Sequence, residues 1–319
     1  MRPPPNRSRA MPPHDHAASR TFTVAAQVMT ATKAAPGLHL VATPIGNLGD
    51  ITLRALQTLA GADLIACEDT RVTRRLTDHY AIAAPLMAYH EHNAAQARPK
   101  ILARLAQGDA VALVSDAGTP LISDPGFKLV REVCAAGYPV LALPGPSSVL
   151  TALTLAALPT DRFFFEGFLP AKAGARRARL AELSRIEATL VLFESGHRIR
   201  DALDDLANVM GPRDAAICRE LTKLHEEVRR GPLAALAETA LELETRGEFV
   251  LVIGPPGRQE HTMESDQLDA LLATALAEGS LKDAVAQAVE ASGRPRREVY
   301  ARALELARQA GANDGDEKD

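Results

Sequence analysis

The feature of this sequence that most constrains its fold is a repeated pairing of a short apolar run with a loop rich in glycine, proline, serine and aspartate. In residues 110–127, AVALVSDAGTPLISDPGF, the apolar run leads directly into such a loop. The loops TPIGNLGD and PGPSS follow apolar runs that begin at residues 38 and 138. Ligands commonly bind to loops at the carboxyl ends of buried parallel strands. The pattern therefore predicts an α/β domain whose loops form a ligand site.

The order of the segments predicts two α/β domains and a helical domain. Strand-like runs alternate with helix-like segments up to residue 253, which is typical of a mostly parallel sheet covered on both faces. Breaks near LPTD and GPPGRQEH indicate α/β domains at residues 38–158 and 159–256. Residues 265–310 read as three helices, either a helix-turn-helix module or a plain bundle. We expect a disordered tail at residues 1–37, where prolines and basic side chains dominate, and a solvated acidic tail at 311–319.

Composition excludes several classes of protein. The formal net charge is −4, so a nucleic-acid partner has to meet a local basic patch and not the whole surface. The three cysteines lie far apart without metal-ligand spacing, which favours buried thiols, a reducing cytoplasm and no bound metal. The most apolar window, VLALPGPSSVLTALTLAALP, contains a Pro-Gly-Pro-Ser-Ser segment that a membrane span tolerates poorly. It predicts a strand, a turn and a helix.

The three loops do not match the familiar phosphate-binding motifs. No GxGxxG opens the first helix, and no GxxxxGK[ST] follows an apolar run. Glycines let a backbone approach a ligand closely, and the helix behind each loop offers free N–H groups to an anion. One such loop is often an ordinary strand-to-helix turn, but three in one half-chain favour a ligand site.

Seven motifs in order resemble the tetrapyrrole-type methylases, and among them the methyltransferases that act on ribosomal RNA of the small subunit. The motifs are VATPIGNLGDITLRAL, ACEDTR, LVSDAGTPLISDPG, PGPSSVLTAL, FEGFLPAK, FESGHR and CRELTK. The resemblance covers residues 38–254, and the later helices resemble the small C-terminal domain of those enzymes. It implies two α/β domains with S-adenosylmethionine in the cleft between them, usually in a homodimer. It also implies 2′-O-methylation of a cytidine in the decoding region of 16S rRNA, within the 30S ribosomal subunit.

The same resemblance implies cofactor contacts on the loops. They fall on Ile45, Val114, Ser115, Asp116, Thr119, Ser147, Ser148 and Glu194. The loop at Ile45 reads TPIGN where the tetrapyrrole enzymes carry GxGPGD, so this chain departs from the family pattern there. Asp116 can pair with the ammonium or sulfonium group, and the serine hydroxyls can hold adenosine or carboxylate oxygens. An Asx turn at Asp116 and a helix N-cap at either serine are the structural alternatives.

Transfer to a ribose hydroxyl depends on positioning and gains from a base that removes the hydroxyl proton. The catalytic candidates are Asp69 and Arg71 in EDTR, Glu194 in FESGHR, and Glu220 and Lys223 in RELTK, with Glu68 and His197 beside them. Ion pairing, capping or packing are alternative roles for these side chains.

Two basic segments are candidates for binding RNA. They contribute Lys172, Arg176, Arg177, Arg179, Arg294, Arg296 and Arg297. Solvated helix faces are the alternative for such segments, but the resemblance favours contacts with the RNA backbone. Two other functions remain open, namely methylation of a tetrapyrrole precursor and non-catalytic RNA binding by a ribosome assembly factor. The TPIGN departure and the appended helices favour the RNA methyltransferase over the former, and the unbroken SDAGTP and PGPSS loops favour it over the latter.

Overall fold

The computed structural model describes residues 20–257 and 265–313. In the first half these form β1 (Thr21–Val24), β2 (Gln27–Thr30), β3 (Gly37–Val41), α1 (Leu53–Gly61), β4 (Leu64–Cys67), α2 (Thr70–His79), β5 (Leu86–Ala88), α3 (Ala94–Ala106), β6 (Ala110–Val114), α4 (Phe127–Ala135), β7 (Val140–Leu143) and α5 (Ser148–Ala156). The second half contains β8 (Phe163–Phe168), α6 (Ala173–Leu183), β9 (Thr189–Ser195), α7 (Ile199–Met210), β10 (Asp214–Arg219), β11 (Glu227–Pro232), α8 (Leu233–Glu238), β12 (Glu248–Ile253), α9 (Ser265–Glu278), α10 (Leu281–Ser292) and α11 (Arg296–Asn313).

The first α/β unit is built on a five-stranded sheet with the order β5–β4–β6–β3–β7, and every pairing in it is parallel. All residues of β4 and β6 are buried, because helices cover both faces of the sheet. The chain leaves β3 towards β4 but leaves β6 towards β7, on the opposite side. A crevice forms at the carboxyl ends where connections diverge in this way. The predicted parallel sheet is confirmed for this unit.

The second unit has a mixed sheet with the order β11–β10–β12–β9–β8. Only β8 and β9 pair in parallel; β12 runs antiparallel to β9 and β10, and β10 is antiparallel to β11. The expectation of a mostly parallel sheet is therefore wrong here. The segment between β10 and β11 is too short for the crossover that parallel neighbours require. The predicted fold class, two α/β domains of the tetrapyrrole methylase type with a C-terminal helical region, is confirmed.

Residues 20–37 correct the prediction of a disordered tail over residues 1–37. β1 and β2 form an antiparallel hairpin, and the fully buried Phe22 packs into the apolar cluster under α1. The Thr23 N–H donates to the carbonyl of Tyr80 at 2.8 Å. Arg20 and Lys33 both form ion pairs with Asp63. One aromatic side chain and these links anchor a segment whose average composition is that of a tail. Residues 1–19 lie outside the described residues.

The three predicted C-terminal helices are present as α9, α10 and α11 and pack around their own apolar core. That core consists of Leu268, Leu272, Val285, Ala288, Val299 and Ala303. Ser280 caps α10 by accepting from the Asp283 N–H, and Gly293 ends it in the left-handed conformation. α11 extends to Asn313, into the predicted acidic tail, and residues 314–319 lie outside the described residues.

The cysteines agree with the sequence prediction in part. Cys67 and Cys218 are buried, and burial raises the pKa of both thiols. Cys134 is exposed, so the prediction of a buried thiol is wrong there, because it lies on the solvent side of α4. Among residues 20–257 and 265–313, no cluster of histidine, cysteine and acidic side chains has the arrangement of a metal site. In the same ranges no helix is long and apolar enough to cross a bilayer.

Candidate active site between the two α/β units

A pocket of about 340 Å³ lies where the loops of the two α/β units face each other. The first unit contributes loops that follow β3, β6 and β7, and the second contributes the carboxyl ends of β8 and β9. Because β12 is antiparallel to β9, the amino end of β12 also reaches this place. The lining residues include Ile45, Asp116, Thr119, Ser123, Asp124, Ser147, Ser148, Phe168, Phe193, Glu194, Ser195, Leu221, Gly247 and Glu248.

The loop after β6 is held firmly against the loop after β3. Thr43 and Gly118 exchange two backbone hydrogen bonds of 2.9 and 3.0 Å, and the Thr43 hydroxyl donates to the Ser115 carbonyl at 3.2 Å. Leu121 and Ser123 adopt positive φ angles of 74° and 62°. Side-chain-bearing residues rarely adopt this conformation, and such strain concentrates at ligand sites. Hydrogen bonds within the chain thus fix this part of the pocket wall.

Carboxyl groups give one side of the pocket a negative character. Asp116 accepts a hydrogen bond from the Asp69 N–H at 2.9 Å. Burial raises the pKa of Asp116, and the charge of Asp69 adds to the effect. Burial also raises the pKa of Asp124 and of Glu68, and neighbouring carboxylates add to both. A cationic ligand relieves such repulsion between carboxylates. Asp116 and Asp124 line the pocket and are suited to bind such a ligand.

The serine pair lines the pocket at the start of α5. Ser147 is the N-cap of this helix, and its hydroxyl accepts from the Leu150 N–H at 3.5 Å. The capping role considered for this pair is therefore present, together with pocket lining. Free N–H groups of a first helical turn favour an anion. The pocket thus has an anion-binding end at α5 and carboxylates elsewhere, which suits a zwitterionic ligand.

Glu194 is a buried carboxylate in the pocket wall. Its Oε1 accepts from the Ser195 N–H at 2.8 Å, and the Arg198 guanidinium lies 3.3 Å from its Oε2. Arg198 directs its hydrogen bonds to the Leu169 and Pro170 carbonyls instead. Among the described residues no donor hydrogen-bonds Oε2. A buried acceptor without a donor is costly, so this atom is suited to accept a hydrogen bond from a ligand.

The predicted pair Glu220 and Lys223 lies in the second unit, after β10, with the Lys223 side chain against Gly46 of the first unit. Lys223 Nζ donates to Glu220 Oε1 at 2.8 Å and to Glu248 Oε2 at 2.9 Å. Burial opposes the charge on Glu220, but the hydrogen bonds from Lys223 and Glu248 prevail and lower its pKa. A Cβ on Gly46 would collide with the Lys223 side chain, so glycine permits the contact. Of this group only Glu248 lines the pocket.

Asp69 and Arg71 pair with each other. Asp69 caps α2 through the Arg71 N–H at 2.8 Å, and its carboxylate also accepts from the Arg71 guanidinium at 2.6 Å. The guanidinium and the cap hold the pKa of Asp69 at about 2. Neither side chain lines the pocket, so the ion-paired helix start is the arrangement observed. Val114 packs in the sheet core and Ser115 bonds within its own loop, so neither offers its side chain to the pocket.

The structure corrects the basic segment predicted to contact RNA. Arg176 is buried, and its guanidinium is held by Asp205 at 2.7 Å. Arg179 forms two hydrogen bonds with Glu166 and one with Glu182. Arg176 is therefore not accessible to RNA, since its charge fixes α6 to α7. The Arg179 guanidinium is held by Glu166 and Glu182, whereas four other candidates are exposed, namely Lys172, Arg177, Arg296 and Arg297. Arg294 is half-buried beside α9.

Several pocket residues were not identified from the sequence. Asp124 lies in the loop that the sequence singled out, eight residues after Asp116, but only the folded loop turns it into the pocket. Phe168 is 57% exposed and packs edge-to-face on Phe193 at 5.6 Å between ring centroids. The sequence feature that could have identified Phe168 is its place in the motif FEGFLPAK. Glu248 is the first residue of the apolar strand β12, and nothing in the sequence marked it as a pocket residue.

Comparisons with known proteins agree with this geometry. Residues 37–237 match the family described as Tetrapyrrole (Corrin/Porphyrin) Methylases, and residues 262–307 match the RsmI C-terminal HTH domain. A ribosomal RNA small subunit methyltransferase I from Mesorhizobium japonicum is 49% identical over 88% of this chain and 95% of its own length. The protein of the same name from Escherichia coli O157:H7 is 47% identical over 84% of this chain and 94% of its own.

A solved cobalt precorrin-4 methyltransferase superposes with a TM-score of 0.52 at 18% identity, covering 68% of this chain and 94% of that one. This likeness concerns the fold alone. The predicted cofactor, S-adenosylmethionine, is confirmed at the level of the family. With the matched sequence, the two-unit fold and the pocket between the units in agreement, the chain belongs to the tetrapyrrole methylase family and, within it, to the ribosomal RNA small subunit methyltransferase I group.

Proposed function

We propose that the chain transfers a methyl group from S-adenosylmethionine to the ribose 2′-oxygen of a cytidine in the decoding region of 16S rRNA, on the 30S subunit. The observation that carries the proposal is the pocket between the units, with carboxylates on one side and the start of α5 on another. The names of the relatives supply the class of RNA, small-subunit ribosomal RNA. The 2′-oxygen and the cytidine come from the resemblance of the seven motifs.

The residues of the pocket fit the cofactor. S-adenosylmethionine carries an ammonium, a carboxylate and a sulfonium group, and when bound it supplies an activated methyl group. Asp116 and Asp124 are placed to hold the cationic groups, because burial and mutual repulsion make a cation favourable beside them. The Ser147 hydroxyl and the N–H groups at the start of α5 are placed to hold the carboxylate. Ile45 adds an apolar wall, and Thr119, whose hydroxyl bonds the Pro146 carbonyl at 3.3 Å, fixes the loop.

Glu194 is the candidate for removing the proton of the attacking hydroxyl. Among the five candidates considered, it is the one that lines the pocket. Its Oε2 is buried and accepts no hydrogen bond from the described residues. A carboxylate held within reach of a hydroxyl can take its proton as the oxygen attacks. The ordered loop after β6 then contributes by positioning, since a preformed wall limits the orientations of both reactants.

The other two functions considered have less support. A tetrapyrrole precursor does not explain the match of residues 262–307 to the RsmI C-terminal HTH domain. A non-catalytic assembly factor does not explain a strained loop and a buried carboxylate with one oxygen, Oε2 of Glu194, that accepts no hydrogen bond from the described residues. A homodimer and a cytoplasmic location stay predictions.

The proposal is tested with purified 30S subunits that lack the modification. We expect calorimetry to detect S-adenosylmethionine binding, and labelled methyl groups to appear in 16S rRNA. Digestion and mass spectrometry then locate the methyl group, and resistance of the adjacent phosphodiester to alkali identifies the 2′-oxygen. Methyl groups on a base, or no transfer by a protein that binds the cofactor, would contradict the proposal.

A further inference from the structure

The exposed face of α2 carries an unusual concentration of positive charge. Arg71, Arg74 and Arg75 occupy positions i, i+3 and i+4, so they lie on one side of the helix. Thr73, Leu76 and Thr77 form the opposite, buried side. The arginines border a shallow depression of the surface together with Thr70 and Asp78. In a chain with a net charge of −4, this is a local basic patch.

The charges of this patch are not neutralised as those of α6 are. Arg71 is paired with Asp69, but no carboxylate among the described residues lies within ion-pair distance of Arg74 or Arg75. In contrast, Arg176 and Arg179 of α6 both have carboxylate partners. In the basic segment that stands out in the sequence, Arg176 and Arg179 are thus held in internal ion pairs. Arg74 and Arg75 on α2 are exposed and can contact an external anion.

One member of the patch, Arg71, also lies at the end of the helix where cations are unfavourable. The N-terminus of a helix carries partial positive charge, and like charges at i, i+4 repel. Arg71 lies in the first turn and repels Arg75 one turn later. Asp69 offsets the charge of Arg71, but Arg74 and Arg75 have no carboxylate within ion-pair distance among the described residues, which favours a binding role for them. An anion bound at Arg74 and Arg75 would relieve the repulsion among the arginines.

The patch adjoins the pocket. α2 begins directly after Asp69, whose N–H donates to the pocket residue Asp116 at 2.9 Å. The start of α2 is thus linked through Asp69 to the pocket wall. Resting on the proposed function, we propose that the exposed face of α2, through Arg74 and Arg75, binds phosphates of the substrate RNA and delivers the neighbouring ribose to the pocket. A polynucleotide is the anion that fits, because it presents several phosphates to several cations and a ribose beside them.

The test compares three double variants in binding to 30S subunits between 50 and 200 mM salt. Arg74→Ala with Arg75→Ala should lower the slope of log affinity against log salt by about 0.7–0.9 for each lost phosphate contact. The factor by which affinity falls between 50 and 200 mM salt should then be about tenfold smaller than for the wild type. Arg74→Lys with Arg75→Lys keeps the charge and should keep the slope.

The control is Arg162→Ala with Arg185→Ala, two exposed cations near the amino ends of β8 and β9, away from the pocket. It should keep the wild-type slope, and all variants should bind S-adenosylmethionine like the wild type. A wild-type slope in the Arg74/Arg75 alanine variant, an equal loss in the control, or no salt-dependent binding by the wild type would overturn the inference. If binding depends on Arg74 and Arg75 but the wild type transfers no methyl group, the inference holds and the proposed function fails.

Discussion

Asp116 is a pocket carboxylate whose ionisation affects both the stability of the protein and its expected affinity for the cofactor. Its pKa lies above the ordinary value of 3.8, first because of burial and then because of Asp69. The protonated form is thus favoured in the folded protein. This contribution to the free energy of unfolding is fully present below 3.8 and is lost as the pH rises through the raised pKa. Binding a cation needs the ionised form, so cofactor affinity should rise with pH across the same window.

Asp116→Asn tests this role. The amide oxygen can still accept from the Asp69 N–H, but the charge is gone. We expect the affinity for S-adenosylmethionine to fall by a factor of about 10–100, the worth of a hydrogen bond to a charged group. The rise of affinity with pH, from the ordinary pKa of 3.8 up through the raised pKa of Asp116, should flatten as well. Calorimetry measures both, and Asp161→Asn, an exposed residue before β8, is the control. Wild-type affinity in a folded Asp116→Asn protein would remove this residue from the site.

Glu194→Gln separates proton removal from cofactor binding. Glutamine can still accept the hydrogen bond from the Ser195 N–H, so the strand end keeps its conformation. We expect kcat to fall by about 10²–10⁴, the usual contribution of a general base, while cofactor affinity stays within threefold of the wild type. Glu182→Gln, an exposed change on α6, should leave both unchanged. A large loss of cofactor affinity at unchanged kcat would instead make Glu194 a cofactor ligand.

At the scale of elements, the hairpin of β1 and β2 should contribute to stability. Phe22→Ala removes a fully buried ring from the cluster under α1 and should lower the free energy of unfolding by about 3–5 kcal/mol. Val28→Ala on the paired strand is the control. Val28 is 72% exposed, and its truncation should change stability by less than about 0.5 kcal/mol. Denaturant titration measures both, and equal midpoints would show that the hairpin adds nothing.

The same elements show what local sequence can and cannot predict. β6 and the three C-terminal helices followed from apolar runs, a serine cap at Ser280 and a glycine stop at Gly293. β1 was missed because one buried aromatic, Phe22, decides the fate of a segment with otherwise tail-like composition. β11, with the sequence EVRRGP, lacks the apolar alternation of a strand and pairs only as an edge strand. Pairing across an edge depends on the neighbour, which local sequence does not encode.

For the whole molecule, the sequence shows how many charged side chains there are but not which of them pair in the fold. The loops of the pocket were visible in sequence because glycine, proline and aspartate mark them locally. Whether a basic side chain is exposed or paired was not visible in sequence, because Arg176 meets Asp205 only when α6 packs on α7. Likewise, β12 brings Glu248 to the pocket only through its antiparallel register with β9. The glycine- and proline-rich loops of the pocket are thus predictable from sequence, whereas residues that arrive through tertiary pairing are not.

The C-terminal helices should act in substrate binding and not in cofactor binding. All the residues that line the pocket precede residue 251, and α9, α10 and α11 have a core of their own. A chain ending at Gly257 should therefore bind S-adenosylmethionine like the full chain. Its affinity for 30S subunits should fall by a factor on the order of 10², the gain expected from linking two weak binding units. Calorimetry and salt-controlled binding measure the two effects. Unchanged 30S affinity would show that the helices do not bind the substrate.

The separate core of the helical unit has a kinetic consequence. If both units bind the RNA as proposed, a contact that breaks in one unit leaves the RNA held by the other, so rebinding competes with escape. The complex would then last longer than either contact alone.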